Sequence, residues 1–316
     1  MIEVQNLTKY YGDFIAIENV SFEAKRGEVV GFLGPNAAGK TTTMRIITGF
    51  MPPSSGTVRV AGYDIQTHSM EARRQIGYLP ETTPLYTDIS VRDYLDFMGG
   101  LRGMAPAKRR TRVDYVIERM RLEEYANTLI GRLSKGYRQR VGIAQAVLHE
   151  PEVLILDEPT IGIDPVQVVE TRELIKSLGK EHTVVLSTHI LPEVSQICER
   201  VVVINEGHIV AVDRPENLSV RLRGTEQVKV DVRGPSRDVA ARIRRIQGVR
   251  EVSQRDGDAG LASYTLECDP GSNIREELAS IIVKGGWGLL GLQAVTMSLE
   301  DIFLKLTTHE EEAKPQ

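Results

Sequence analysis

The segment GPNAAGKT at 34–41 limits what this chain can fold into more than any other. It fits the spacing G-x-x-x-x-G-K-[ST], and its flanks suit that pattern. The apolar run EVVGFL leads into it, and the helical TTTMRIITGF continues from its last residue. A strand that passes through such a loop into a helix points successive backbone N–H groups inward, where they can meet phosphate oxygens. Gly34, Pro35, Asn36, Ala37, Ala38 and Gly39 form the turn, and Gly39 permits close backbone approach. Lys40 brings positive charge to the β- and γ-phosphates. Thr41 can ligate Mg2+ through its hydroxyl, with Thr42 beside it.

Other segments supply the sheet that such a turn grows from. Alternation in IEVQNL and over 15–24 predicts strands with one wet face. VLILD, TVVLS and VVVIN are short, apolar and mostly β-branched, with helical patterns between them. That succession predicts an α/β fold with a mostly parallel sheet covered on both faces. Residues from about 85 to 150 are mostly helical by pattern and read as an inserted subdomain. The first domain is expected to span 1–222.

A second unit, 225–308, reads β-α-β-β-α-β, the ferredoxin-like order, with DGDAG at 256–260 as a turn and Ser272 as a helix N-cap. SLEDIFLKL reads as a short closing helix and 309–316 as a disordered tail.

Composition narrows the function classes. At 316 residues, 41% hydrophobic and 26% charged, the chain has material for two packed units. A net charge of −4 argues against broad nucleic-acid binding. Cys198 and Cys268 form no CxxC and no cluster with histidine, which suits core fillers in a reducing compartment. The polar N-terminus does not read as a signal peptide, and no run approaches the roughly 20 apolar residues that cross a bilayer. A cytoplasmic protein is expected, with any membrane role carried by a partner.

The reaction is suggested by VLILDE at 153–158. Asp157 falls at the carboxyl end of an apolar strand, where ligands bind in open parallel sheets, and can hold Mg2+. Strand alternation would aim Glu158 to the other side, toward an attacking water, as general base or water positioner. The guanine-reading pattern NKxD is absent, which disfavours a GTPase. A second anion site is suggested by LSKGYRQR at 133–140, where a helix opens on Ser134, a basic residue and Gly136.

Taken together, these motifs resemble the ATP-binding cassette of ABC transporters over about residues 1–215. The order is Tyr11, GPNAAGKT, the loop at Glu81, LSKGY, VLILDE, the loop at Asp164 and then His189. The resemblance implies a P-loop ABC cassette with an inserted helical subdomain and an antiparallel β subdomain, binding ATP and Mg2+. Tyr11 matches the residue that stacks on adenine, with Tyr10 the alternative if the register slips. Glu81 stands where the family usually has Gln and can face Mg2+ together with Thr41 and Asp157. Ser134 and Gly136 match the signature that caps the ATP of a second cassette, which accounts for the surplus anion site. Asp164 matches the loop that communicates between cassettes, and His189 the residue that contacts the γ-phosphate.

Ala37 replaces a usual Gly. Alanine at positive φ would cost about 1–2 kcal/mol, so a φ that alanine tolerates is expected there.

LSKGY and YLPE are similar to single-cassette ATPases of bacterial multidrug, polysaccharide and gliding-type exporters. The implied partners are a second cassette, as a homodimer, and an integral-membrane permease at the inner face of the membrane, with no nucleic acid. Pro84, Leu85 and Tyr86 would either receive a permease helix or pack between subdomains. The alternatives are a soluble ABC ATPase and a nucleotide-gated regulatory module, each acting without a permease.

Overall fold

The computed structural model describes residues 1–217, 226–256, 261–269, 272 and 274–295. The chain divides into two units, Met1–Pro215 and Glu216–Gln316.

The first unit opens with β1 (Ile2–Tyr11) and β2 (Phe14–Ala24), a hairpin whose apolar side faces inward. Then come β3 (Val29–Leu33), α1 (Lys40–Ile47), β4 (Ser55–Val60), β5 (Tyr63–Asp64), α2 (Ser69–Arg74) and β6 (Ile76–Leu79). Next are α3 (Val91–Leu101), α4 (Pro106–Arg119) and α5 (Lys135–Val147). The unit ends with β7 (Val153–Asp157), α6 (Pro165–Leu178), β8 (Thr183–Thr188), α7 (Leu191–Ile197), β9 (Arg200–Asn205) and β10 (His208–Asp213).

Two sheets result. One has the order β10-β9-β3-β8-β7-β6, parallel throughout except for the antiparallel edge strand β10. The other, β2-β1-β4-β5, is antiparallel. Every residue of β3, β7 and β8 is buried. This is why these segments read as continuous apolar runs and not as alternating ones. A core including Ile2, Val4, Phe22, Phe32, Met44 and Val202 joins the two sheets through α1, with the Phe22 and Phe32 rings 5.3 Å apart.

In the helical segment Ser90 caps α3, accepting from Asp93 N and donating to the Asp93 carboxylate at 2.6 Å. The basic run KRRTR at 108–112 lies in α4, where three of its charges are paired. Arg109 pairs with Asp96 of α3 at 2.7 Å, and Lys108 and Arg112 pair with Glu150. These contacts tie α4 to α3 and to the residues after α5. Among the described residues no helix is long and apolar enough to cross a membrane.

The second unit contains β11 (Glu226–Arg233), α8 (Ser236–Ile243), β12 (Val249–Asp256), β13 (Leu261–Cys268), α9 (Arg275–Lys284) and β14 (Gly288–Val295). Its sheet is antiparallel with the order β12-β13-β11-β14, the ferredoxin-like arrangement. Val230, Val239, Ile243, Tyr264, Leu266, Leu278 and Ile282 form its core, and Cys268 is buried among them. Ser272 does not cap α9. The N-cap is Ile274, and the Ser272 hydroxyl donates instead to the Asp269 carbonyl at 2.6 Å. Residues 257–260 of the expected turn, the expected closing helix and the expected tail lie outside the described residues.

Candidate functional site

The loop 34–39 leaves β3 and enters α1 at the carboxyl end of the parallel sheet. Its path depends on close backbone approach. A β-carbon at Gly34 would collide with the Ile204 carbonyl, and one at Gly39, which sits at φ 103, would lie 2.8 Å from the Ala16 carbonyl. Ala37 lies at φ 66. The expectation of an ordinary φ there is therefore corrected: the turn imposes a left-handed residue, and alanine bears the strain.

Lys40, 6% exposed, directs its ammonium across the mouth of this loop, donating to the carbonyls of Gly34 at 2.8 Å and Pro35 at 3.0 Å. The loop borders a cleft of about 370 Å3 that is also lined by Tyr11, Thr41, Thr42, Glu81 and Glu158. Thr43, one turn into α1, anchors the helix start by donating to the Gly39 carbonyl.

Two carboxylates stand at the end of β7, and of these Glu158 lines the cleft. Asp157 ends β7 and is fully buried. One of its oxygens accepts from the Ser187 hydroxyl, and the other, Oδ2, is buried with no hydrogen-bond partner. Burial pushes its carboxyl pKa up. The Ser187 and Thr41 hydroxyls pull it down, and the negative charges of Glu81 and Glu158 push it up further. A buried carboxylate oxygen without a donor, with the Thr41 hydroxyl and further carboxylates close by, is a hard-oxygen environment that fits Mg2+.

Glu158 lies one residue past the end of β7 at φ 49. Its direction is therefore set by a left-handed turn and not by strand alternation, which corrects that expectation. The turn is held by the backbone N–H of Glu158, which donates to the carbonyl and hydroxyl of Ser187. Glu158 is 4% exposed. Its carboxylate stands 3.3 Å from Lys40 Nζ and accepts from His189 Nδ1 at 3.0 Å. His189 follows β8 directly.

At the other end of the cleft, Tyr11 and Phe14 face each other across the turn of the first hairpin, both exposed and both lining the cleft. The Tyr11 hydroxyl contacts Met51 sulfur at 3.1 Å. Tyr10 is not among the lining residues. Phe14 was missed from the sequence, although two residues flanking a two-residue turn at Gly12 and Asp13 must pair across the hairpin.

Ser134, Gly136 and Asp164 stand together but do not line the cleft that Lys40 occupies. Ser134 caps α5, accepting from Tyr137 N, and Asp164 caps α6, accepting from Gln167 N at 3.1 Å. Gly136 is buried against the Gln167 carboxamide, in space that a β-carbon would fill. The helix start at 134–136 is thus built against the helix start at 164–167 of the same chain.

A family model described as ABC transporter matches residues 17–161. The chain is 32% identical to the linearmycin resistance ATP-binding protein LnrL of Bacillus subtilis, over 97% of this chain and 98% of that one. It is 35% identical to the Nod factor export ATP-binding protein I of Cupriavidus metallidurans, over 98% of both. The bacitracin transport ATP-binding protein BcrA of Bacillus licheniformis is 32% identical over 97% of each.

Among solved structures, an ATP-binding subunit of an ABC transporter superposes with a TM-score of 0.64 at 32% identity, covering 70% of this chain and 92% of that one. A dimeric post-hydrolysis ATP-binding cassette bound to ADP and Pi superposes with a TM-score of 0.62 at 26% identity, covering 68% and 99%. With relatives this similar from end to end, the chain belongs to the ABC transporter family, as an ATP-binding subunit.

Proposed function

We propose that this chain hydrolyses ATP to power a membrane exporter, and that two cassettes do so as a pair. The observation that carries the reading is the Glu158 carboxylate held between Lys40 Nζ and His189 Nδ1 at the end of a phosphate-binding loop. Adenine would stack at Tyr11 and Phe14. The loop amides from Gly34 to Gly39, with Lys40, Thr41 and Thr42, would hold the phosphates.

Thr41 and Asp157 would hold Mg2+, with Glu81 facing it, and the ion would offset phosphate charge. Glu158 takes a proton from water as the water oxygen attacks the γ-phosphorus and ADP leaves. The Nδ1–H of His189 donates to Glu158, so Nε2 is the nitrogen free to face a phosphate oxygen. It can donate to that oxygen only as the imidazolium.

Ser134 and Gly136 do not line their own cleft, which supports a role at the nucleotide of a second copy, with Asp164 braced beside them. The γ-phosphate would then hold the pair closed until it is cleaved. The names of the relatives, which concern export, transport and resistance, support an export role through an integral-membrane permease at the cytoplasmic face. The second unit would be an accessory domain.

The test is Glu158→Gln with ATP and Mg2+ on a sizing column. The expected product is a stable nucleotide-loaded dimer. A variant that stays monomeric while binding ATP would refute the pairing.

A further inference from the structure

We infer that Glu193 is a positioning residue that sets Glu158 and His189 against each other. Glu193 lies in α7, is 1% exposed and carries a carboxylate that the proposed chemistry does not use. Its two oxygens reach both segments that bear the hydrolytic groups. Oε1 accepts from the Thr160 hydroxyl at 2.7 Å, two residues beyond Glu158. Oε2 accepts from the Thr188 hydroxyl at 3.0 Å, one residue before His189. Thr160 and Thr188 are themselves buried.

The Thr188 hydroxyl also accepts from the backbone N–H of Ile190 at 3.0 Å, so it spans the turn that carries His189. With the contact between His189 and Glu158, these bonds form a closed ring: Glu158, Thr160, Glu193, Thr188, His189 and back to Glu158.

The ring explains why a charge is buried so deeply. Uncharged side chains could pack α7 against the sheet at lower cost, since a buried carboxylate needs several donors to offset its lost hydration. Glu193 has two hydroxyls and the Arg172 guanidinium, whose Nη2 donates at 3.2 Å. Arg172 lies on α6, which starts at the loop carrying Asp164. One carboxylate therefore fixes two catalytic turns and references both to α6. A shift of about 1 Å between a base and its water can cost about a hundredfold in rate. A ring that prevents such a shift acts on turnover far more than on nucleotide capture, because neither Glu193 nor its threonine partners line the nucleotide cleft.

The inference rests on Glu158 and His189 being the hydrolytic pair, so Glu158→Gln is run in parallel. The test measures steady-state ATPase kinetics and ATP-analogue binding for the full chain with Glu193→Ala, Glu193→Gln, Thr160→Val and Thr188→Val. The valine variants keep side-chain size: Thr160→Val removes one arm alone, and Thr188→Val removes the other together with the Ile190 contact, so they decide the question even if Glu193→Ala does not fold.

Expected is a fall in kcat of about tenfold or more for Glu193→Ala and a few-fold for each valine variant, with KM and analogue affinity within about twofold. The loss in Thr160→Val combined with Glu193→Gln should be smaller than the product of the separate losses. Wild-type kcat in both valine variants, or losses in KM alone, overturns the positioning role. If Glu158→Gln itself hydrolyses at the wild-type rate, the hydrolytic assignment fails instead.

Discussion

Glu158 and His189 come from the ends of neighbouring parallel strands, and their side chains meet at 3.0 Å because the Glu158 backbone turns left-handed immediately after β7. Two groups joined by a hydrogen bond should not act independently. We expect Glu158→Gln and His189→Ala each to lower kcat by about a hundredfold or more. The double variant should be little worse than the more damaged single one. Single-turnover ATPase measurements on the four proteins check this, and multiplicative losses would mean that the two groups act on separate steps.

The strain at Ala37 can be measured directly. At φ 66 an alanine is disfavoured and a glycine is not. Ala37→Gly should relieve about 1–2 kcal/mol in the folded state and return part of it through the freer unfolded chain. A net gain of up to about 1 kcal/mol is expected in urea unfolding, with ATP affinity unchanged. Loss of stability would show that the loop tolerates its alanine without strain.

Phe14 should contribute to nucleotide binding nearly as much as Tyr11, since both rings are exposed at the same end of the cleft. An aromatic contact of this kind is worth about 0.5–1.5 kcal/mol, so Phe14→Ala should weaken ATP binding by roughly two- to tenfold. Tyr10→Ala should leave it unchanged. Fluorescence titration with an ATP analogue, run on these two variants and on Tyr11→Ala, separates the three.

Much of this site is legible in the chain because it is local. The spacing around Lys40 names a strand, a turn and a helix together, and Asp157 ends an apolar run too short to be anything but a buried strand. The β-α-β-β-α-β order of the second unit is legible for the same reason, since its period switches from two to 3.6 and back. What escapes is whatever depends on closure in three dimensions. Alternation misdirects Glu158 because the strand stops one residue earlier. Glu193 looks like any acid in a short helix until Thr160 and Thr188 are brought to it. Gly136 reads as part of an anion site, yet its missing side chain also admits Gln167 from a helix start thirty residues on.

His149 gives a pH dependence away from the cleft. Burial depresses its pKa from 6.5 to about 4, and the nearby Arg102 charge adds to the effect, while a hydrogen bond to the Ile76 carbonyl opposes it. Its Nδ1 is buried without a partner, so the folded protein accommodates the neutral ring and not the cation. Between pH 6.5 and 4 the unfolded chain therefore binds a proton at His149 that the folded chain does not. The neutral ring's contribution to stability is fully present above pH 6.5 and is lost as the pH falls toward 4. Two and a half pKa units correspond to about 3 kcal/mol at most. Urea unfolding between pH 7 and pH 5, where most carboxylates stay ionised, should show stability falling with acid. His149→Gln, which can still donate to the Ile76 carbonyl, should flatten that slope, and an equal slope in the variant would place the acid sensitivity elsewhere.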